Sequence, residues 1–275
     1  MIHEISPSIL DNAYKSVDID AGSRMAIFLG HKILLKETAQ GIAYPCYADV
    51  KEHIENYRYL FSMNGQSYFL GTLKEGHEKV LSAYKSYSSD EIKECQPVEL
   101  AFAAMTAMHL DGWYKNSGYC GRCGHETRHH PSMRMMQCPS CGNMIFPRIS
   151  PCVICAVTDG ERLLVTQHAP GHGYALVAGF MEIGETAEEC CAREVFEETG
   201  VHITDVRYYA SQPWGCDGNM MFGYTARLDG SHHIELDQNE LSSARWLKPE
   251  EIPEPEDKSS LTREMIRRFR KGQLF

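Results

Sequence analysis

Three carboxylates on one short stretch raise the question of chemistry. Glu194, Glu197 and Glu198 stand at i, i+3 and i+4, a spacing that puts them on one face of a helix and crowds three negative charges together. An acidic run is usually a solvated helix face. A hard divalent cation with oxygen ligands would also relieve the repulsion, and would make that face a site. The flanks define the element. Thr186 followed by Glu189 is a capping box, so a helix is predicted from Ala187. Gly200 is a natural C-terminal stop. Ala187, Cys191 and Val195 recur every four residues and should pack on a sheet. Arg193 lies off the acidic face and is predicted to pair with Glu185 in the preceding loop. Gly179 and Gly184 would let that loop turn tightly beside the helix.

A second constellation consists of cysteines. Cys120-x-x-Cys123-Gly124 and Cys138-x-x-Cys141-Gly142 are two knuckles separated by fourteen residues. Two intervening residues let a turn aim both sulfurs at one ion, and four thiolates suit tetrahedral Zn²⁺ with no position left open for water. The expected zinc is therefore structural. Cys152 and Cys155 repeat the spacing but lie in a predicted strand, where residues three apart face opposite ways. They, and Cys190 with Cys191, are read as packing residues. His129, His130, His172, His232 and His233 are read as exposed loop residues.

The elements that must hold these groups are uneven along the chain. Residues 1 to about 95 read as half-buried sheet, with apolar runs at Met25–Leu29 and Ile33–Leu35. Aromatic runs at Tyr57–Leu60 and Tyr68–Leu70 are parted by the turn signal Asn64-Gly65. Glu91 to Trp113 carries a helical period. After the cysteines, Val153–Val157 and Leu163–Gln167 flank Asp159-Gly160, a hairpin signal. Tyr174–Phe180, Val206–Ala210 and Met220–Ala226 are further strand candidates. Leu261–Arg270 is a candidate helix, and Pro249–Pro255 reads as a loop. The expected division is 1–115, a β-rich domain ending in a helix; 116–147, the cysteine module; and 148–275, the domain with the acidic helix.

Composition bounds the function. A net charge of −10 disfavours broad binding to a phosphate backbone, although a metal would still admit an anionic substrate. No apolar run reaches the length of a membrane span. The N-terminal residues lack a basic segment followed by an apolar one. Eleven cysteines without such a signal fit reduced thiols and a metal site. A cytoplasmic location without membrane partners is expected.

From Gly179 to Val201 the chain resembles the Nudix box, G-x5-E-x7-R-E-U-x-E-E-x-G-U, with U a bulky aliphatic. Gly179, Glu185, Arg193, Glu194, Val195, Glu197, Glu198, Gly200 and Val201 fill all nine fixed positions. The preceding cysteine module, Phe146-Pro-Arg-Ile-Ser-Pro151, Leu176 to Phe180 and Ser211-Gln212-Pro213-Trp214 are similar to the NADH pyrophosphatase subfamily. Similarity spans about residues 98 to 270. It departs after Trp214. The subfamily continues P-F-P-x-S, whereas this chain reads Gly215-Cys216-Asp217-Gly218-Asn219. That change is expected to loosen the loop and weaken discrimination at the second half of a substrate.

The resemblance implies an α+β protein: a Nudix α/β/α sandwich with a mixed sheet, preceded by a zinc ribbon and the β-rich N-terminal domain. It implies that Glu194 and Glu198 hold catalytic Mg²⁺ or Mn²⁺, with Glu197 as ligand or base. The Ala178 carbonyl and Glu240 would be further ligands. Phe146 and Phe180 would stack on a base, and Ser211, Gln212, Trp214, Asn219 and Thr262 would contact substrate. The implied reaction is hydrolysis of the NADH or NAD⁺ diphosphate to AMP and nicotinamide mononucleotide, with NAD-capped RNA 5′ ends as a further substrate and a homodimer as the assembly. The competing readings are a Nudix pyrophosphatase for ADP-ribose or dinucleoside polyphosphates, and a non-catalytic Nudix ligand sensor. The intact box carboxylates count against the sensor.

Overall fold

The computed structural model describes residues 1–77, 83–170 and 173–274; His172 lies outside them. Two compact units divide the chain. One combines Ile2–Arg148 with Gly215–Gly218, and the other combines Met1 and Ile149–Trp214 with Asn219–Phe275.

The first unit opens with strands β1 (Leu10–Asp11), β2 (Arg24–Leu29), β3 (Lys32–Thr38) and β4 (Gly41–Ala43), then the short helix α1 (Tyr47–Val50). Strands β5 (Ile54–Met63), β6 (Gln66–Leu73) and β7 (Lys85–Tyr87) complete a sheet ordered β1-β5-β6-β2-β3-β4, with β7 on β3. Asn64 and Gly65, at φ 51° and 78°, make the turn joining β5 to β6, as their pairing in sequence anticipated. The expected helix over Glu91–Trp113 is two helices: α2 (Ser89–Lys93) and α3 (Val98–Asn116). Pro97 explains the break. Proline has no N–H to give a helix interior, and here it occupies the N-cap of α3. Strands β8 (Arg128–His129), β9 (Met136–Gln137) and β10 (Met144–Ile145) form the small sheet of the cysteine module. His129 is not a free loop residue: it lies in β8, and its Nε2 meets the Tyr114 hydroxyl at 3.1 Å.

The second unit holds the acidic helix. Its strands are β11 (Ser150–Thr158), β12 (Leu163–Gln167), β13 (Val177–Phe180), β14 (Ile203–Trp214), β15 (Asn219–Leu228) and β16 (Ser243–Leu247). They are ordered β14-β15-β11-β12-β16, with β13 on β11. The sheet is mixed, because β11 and β15 run parallel while the other pairs are antiparallel. Helix α4 (Ala187–Thr199) and helix α5 (Leu261–Arg270) cover opposite faces. Alternation along β11 makes this possible. Val153, Cys155 and Val157 pack with Cys190, Cys191 and Val195 of α4. Ile154 and Ala156 pack with Leu261, Met265, Ile266 and Phe269 of α5. This is the expected α/β/α sandwich. Among the described residues, no helix is long and apolar enough to cross a membrane.

Candidate functional site

Helix α4 starts and stops where its sequence predicts. The Thr186 hydroxyl accepts the Glu189 N–H, the Glu189 carboxylate accepts the Thr186 N–H, and Gly200 closes the helix in the left-handed region at φ 67°. Cys191 and Val195 are fully buried against the sheet. Beside that buried face the three acids run inward along one side of the helix, from exposed Glu197 through half-buried Glu194 to buried Glu198.

Arg193 organises that face. Its Nε and Nη2 donate to the two Glu185 oxygens at 2.7 and 2.9 Å. Nη1 donates to Glu194 Oε1 at 2.8 Å and to Glu197 Oε2 at 2.9 Å, and Nη2 reaches the Phe180 carbonyl at 3.0 Å. The pairing with Glu185 was expected. The grip on Glu194 and Glu197 was not, because a long guanidinium reaches beyond its own helical position. Arg193, together with the Glu182 N–H, holds the Glu185 carboxyl down to about 2.

Gly179 also has a different reason from the expected one. Its φ is not positive; the constraint is contact. A Cβ there would lie 1.9 Å from Glu194 Cδ, so the carboxylate sits directly against the glycine. Gly184, at φ 91°, is the true turn glycine of the loop.

Glu198 is the deepest of the acids, 3% exposed. Burial, with neighbouring Glu194, Glu240 and Asp237, pushes its carboxyl up to about 8, against a hydrogen bond from the Ala178 N–H. Among the described residues, its Oε2 is buried without a hydrogen-bond partner. Burial likewise raises the Glu194 carboxyl, with Glu197 and Glu240 adding to the effect and Arg193 opposing it. A buried, unpartnered carboxylate oxygen is costly. Here it belongs to an all-oxygen set of acids that fits a hard divalent cation. The helical acids are less tightly gathered than the cysteines. Among the described residues, Cys120, Cys123, Cys138 and Cys141 are the only three or more Cys, His, Asp or Glu whose donor atoms all lie within 4.8 Å of one another.

The cysteine cluster is built from two matching knuckles. Gly124 N–H bonds the Cys120 carbonyl and Gly142 N–H bonds the Cys138 carbonyl, with both glycines at positive φ. Sulfur separations are 3.4 Å for Cys123–Cys141, 3.5 Å for Cys123–Cys138 and 3.6 Å for Cys120–Cys141. The Arg122 and Cys123 N–H groups hold the Cys120 thiol down to about 6, and N–H groups of Cys141 and Ser140 lower that of Cys138. Thiolates in this arrangement suit zinc.

The expected substrate residues divide. Phe146 and Phe180 are 52% and 56% exposed, so neither is a core residue. Thr262 is half-buried in the first turn of α5. Ser211 is half-buried opposite Phe222, and Trp214 pairs with Asn219 across the end of the β14–β15 ladder. Gln212 departs from expectation. It is 1% exposed, its Nε2 donates to the Ser259 carbonyl at 2.7 Å, and its Oε1 accepts the Leu261 N–H at 2.7 Å. With both amide ends engaged, it braces the start of α5. Gly215 also revises the reading of its loop. A Cβ there would stand 2.3 Å from the Met105 carbonyl, so the residue is glycine because α3 leaves no room for more. Asp237 carried no recognisable signal in the sequence. Its importance depends on Glu198 of another element, whose carbonyl accepts its N–H at 3.0 Å.

Residues 148–269 match a NUDIX domain model, and residues 115–146 match an NADH pyrophosphatase zinc ribbon domain model. An NAD-capped RNA hydrolase NudC of Vibrio cholerae is 37% identical over 170 residues, 61% of this chain and 62% of that one. The match thus spans somewhat less than two thirds of that relative. One of the same name from Vibrio vulnificus is 33% identical over 187 residues, 66% of this chain and 71% of the relative. Among solved structures, a NUDIX hydrolase from Nitrosomonas europaea aligns with a TM-score of 0.48 at 23% identity, covering 56% of this chain and 91% of that one. With two domain models on adjoining segments and a relative matched over more than two thirds of its length, the chain belongs to the Nudix hydrolase family, in the group that carries the NADH pyrophosphatase zinc ribbon.

Proposed function

We propose that the chain hydrolyses the diphosphate linkage of NADH and NAD⁺, releasing AMP and nicotinamide mononucleotide, and that it acts in the same way on NAD-capped RNA 5′ ends. The observation that carries this reading is Glu198, a buried carboxylate among the acids of α4 with one oxygen that has no partner among the described residues. The names of the Vibrio relatives support the choice of substrate.

The proposed ligands of a catalytic Mg²⁺ or Mn²⁺ are Glu194, Glu198, Glu240 and the Ala178 carbonyl, with Glu197 as ligand or base. When bound, the ion supplies Lewis-acid charge neutralisation at the diphosphate and acidifies water. The protein's own groups do the rest. Arg193 fixes Glu194 and one oxygen of Glu197. Glu197 stays exposed enough to take a proton from an attacking water. Water adds to phosphorus, the P–O–P bond breaks, and each half leaves as a monophosphate. Phe180, with its carbonyl held by Arg193, offers an exposed ring to a base. Phe146, Ser211, Trp214, Asn219 and Thr262 are the proposed further contacts. The four cysteines hold one structural Zn²⁺. We assign residues 1–115, 116–147 and 148–275 as the three domains, in a cytoplasmic homodimer.

One observation favours a second reading, action on ADP-ribose or dinucleoside polyphosphates. Cys216 and Asp217 stand where the subfamily has phenylalanine and proline, removing an apolar surface and adding a negative charge.

Product identity tests the reaction. Incubation of NADH with the protein and Mn²⁺ should yield AMP and reduced nicotinamide mononucleotide in equal amounts. Release of free nicotinamide, or no product from NADH or NAD-capped RNA, would overturn the reading.

A further inference from the structure

The box helix ends at Gly200, which leaves its last carbonyls without intrahelical partners. A distant segment takes two of them. The Glu235 N–H bonds the Thr199 carbonyl at 2.9 Å and the Asp237 N–H bonds the Glu198 carbonyl at 3.0 Å. The approach is close enough that a Cβ on Gly200 would meet Glu235 Cβ at 2.9 Å. From Asp237 the chain then folds into a tight turn. The Asp237 carbonyl accepts the N–H groups of Glu240 at 3.3 Å and Leu241 at 3.0 Å. Its Oδ1 accepts the Asn239 N–H and Nδ2, both at 2.9 Å. Buried Leu241 and the bond from the Ser242 N–H to the Gln167 carbonyl, 2.7 Å, pin the far end.

We propose that Asp237 is a positioning residue of the metal site: it docks the 235–241 segment onto the end of α4 and folds the turn that delivers Glu240 to the Glu194–Glu198 face. This rests on the metal reading above and extends it to a residue outside the box. Glu240 is exposed, so no burial of its own side chain fixes it. What fixes it is the backbone from which it projects. The bonds to Glu198, Glu240 and Leu241 come from the Asp237 backbone, so the side chain's own share is the Oδ1 acceptor that folds the turn over Asn239, and this needs an oxygen rather than a charge. Asparagine keeps that acceptor and alanine removes it.

The test uses the full-length zinc-loaded protein and Mn²⁺ alone, without substrate. Asp237→Ala should weaken Mn²⁺ binding about as much as Glu240→Gln, on the order of tenfold. The double variant should be no weaker than either single one, because residues acting through one another are not additive. Asp237→Asn should restore most of the affinity. Amide exchange at Glu240 and Leu241 should speed up in the alanine variant and remain slow in the asparagine variant. Additive losses would overturn the proposal, as would an asparagine variant as weak as alanine. So would a lowered thermal midpoint with unchanged Mn²⁺ affinity. Wild-type protein that bound no Mn²⁺ would sink the metal reading itself, and this inference with it.

Discussion

Glu194 rests its carboxylate on the bare Cα of Gly179, where a methyl group would lie 1.9 Å from Glu194 Cδ. The glycine of the box is thus a space for the acid of the box, and the two positions must be read together.

Gly179→Ala should therefore act on the site and spare the fold. The added methyl meets the end of a flexible side chain, so Glu194 is pushed aside while the backbone stays. We expect a loss of about tenfold or more in Mn²⁺ affinity and turnover, with the thermal midpoint nearly unchanged. Titration of activity against Mn²⁺ checks this. Wild-type metal dependence would show that Glu194 is not a ligand.

Glu198 makes the metal-free protein pH-sensitive. Its carboxyl sits at about 8 in the fold against an ordinary 4.5. The native state then holds a proton that the unfolded chain gives up between those values, so stability falls as pH rises through that window. Glu198→Gln keeps the volume and removes the charge. Without divalent metal it should melt several degrees above wild type near pH 8, and the gap should close near pH 5. Added Mn²⁺ should stabilise wild type alone. Equal melting at both pH values would contradict the burial argument.

Glu185 gives the opposite sign. Arg193 holds it down to about 2, so its contribution is full above the ordinary value of 4.5 and is lost as pH falls toward 2. Glu185→Gln should be less stable than wild type near neutrality, by about 1 kcal/mol given partial exposure and screening. The difference should shrink below about pH 4.5. Melting curves over that range decide the point.

The four-cysteine site should hold one Zn²⁺ per chain, distinct from the catalytic ion. Structural zinc contributes on the order of 10 kcal/mol to small modules. Cys138→Ser should lower the melting temperature before any specific loss of turnover appears. Elemental analysis that found no zinc in chelator-free protein would overturn the assignment.

How much of this was legible in the sequence follows how local each interaction is. The capping box, the Gly200 stop, the carboxylate spacing and the cysteine knuckles are written within a few residues, and the structure has them where they were read. Roles that depend on a distant partner were hidden. Gly179 looked like a turn glycine because Glu194 approaches it only after β13 and α4 pack. Gln212 looked like a substrate contact, but the backbone of Ser259 and Leu261 engages it. Gly215 reads in sequence as a loss of rigidity, but the Met105 carbonyl of α3 lies against it and leaves no room for a side chain. Pro97 splits a continuous helical period, a local signal outweighed by apolar periodicity.

The most direct test of the whole account is metal-dependent release of AMP from NADH by wild-type protein and by Glu198→Gln. Both should be measured at saturating Mn²⁺, with folding verified by their melting curves. The account predicts steady release by wild type, abolition by a chelator, and a loss of at least about 100-fold in the folded variant, or roughly 2.7 kcal/mol of transition-state stabilisation. Wild-type turnover by Glu198→Gln, or release that persists in the chelator, would contradict it.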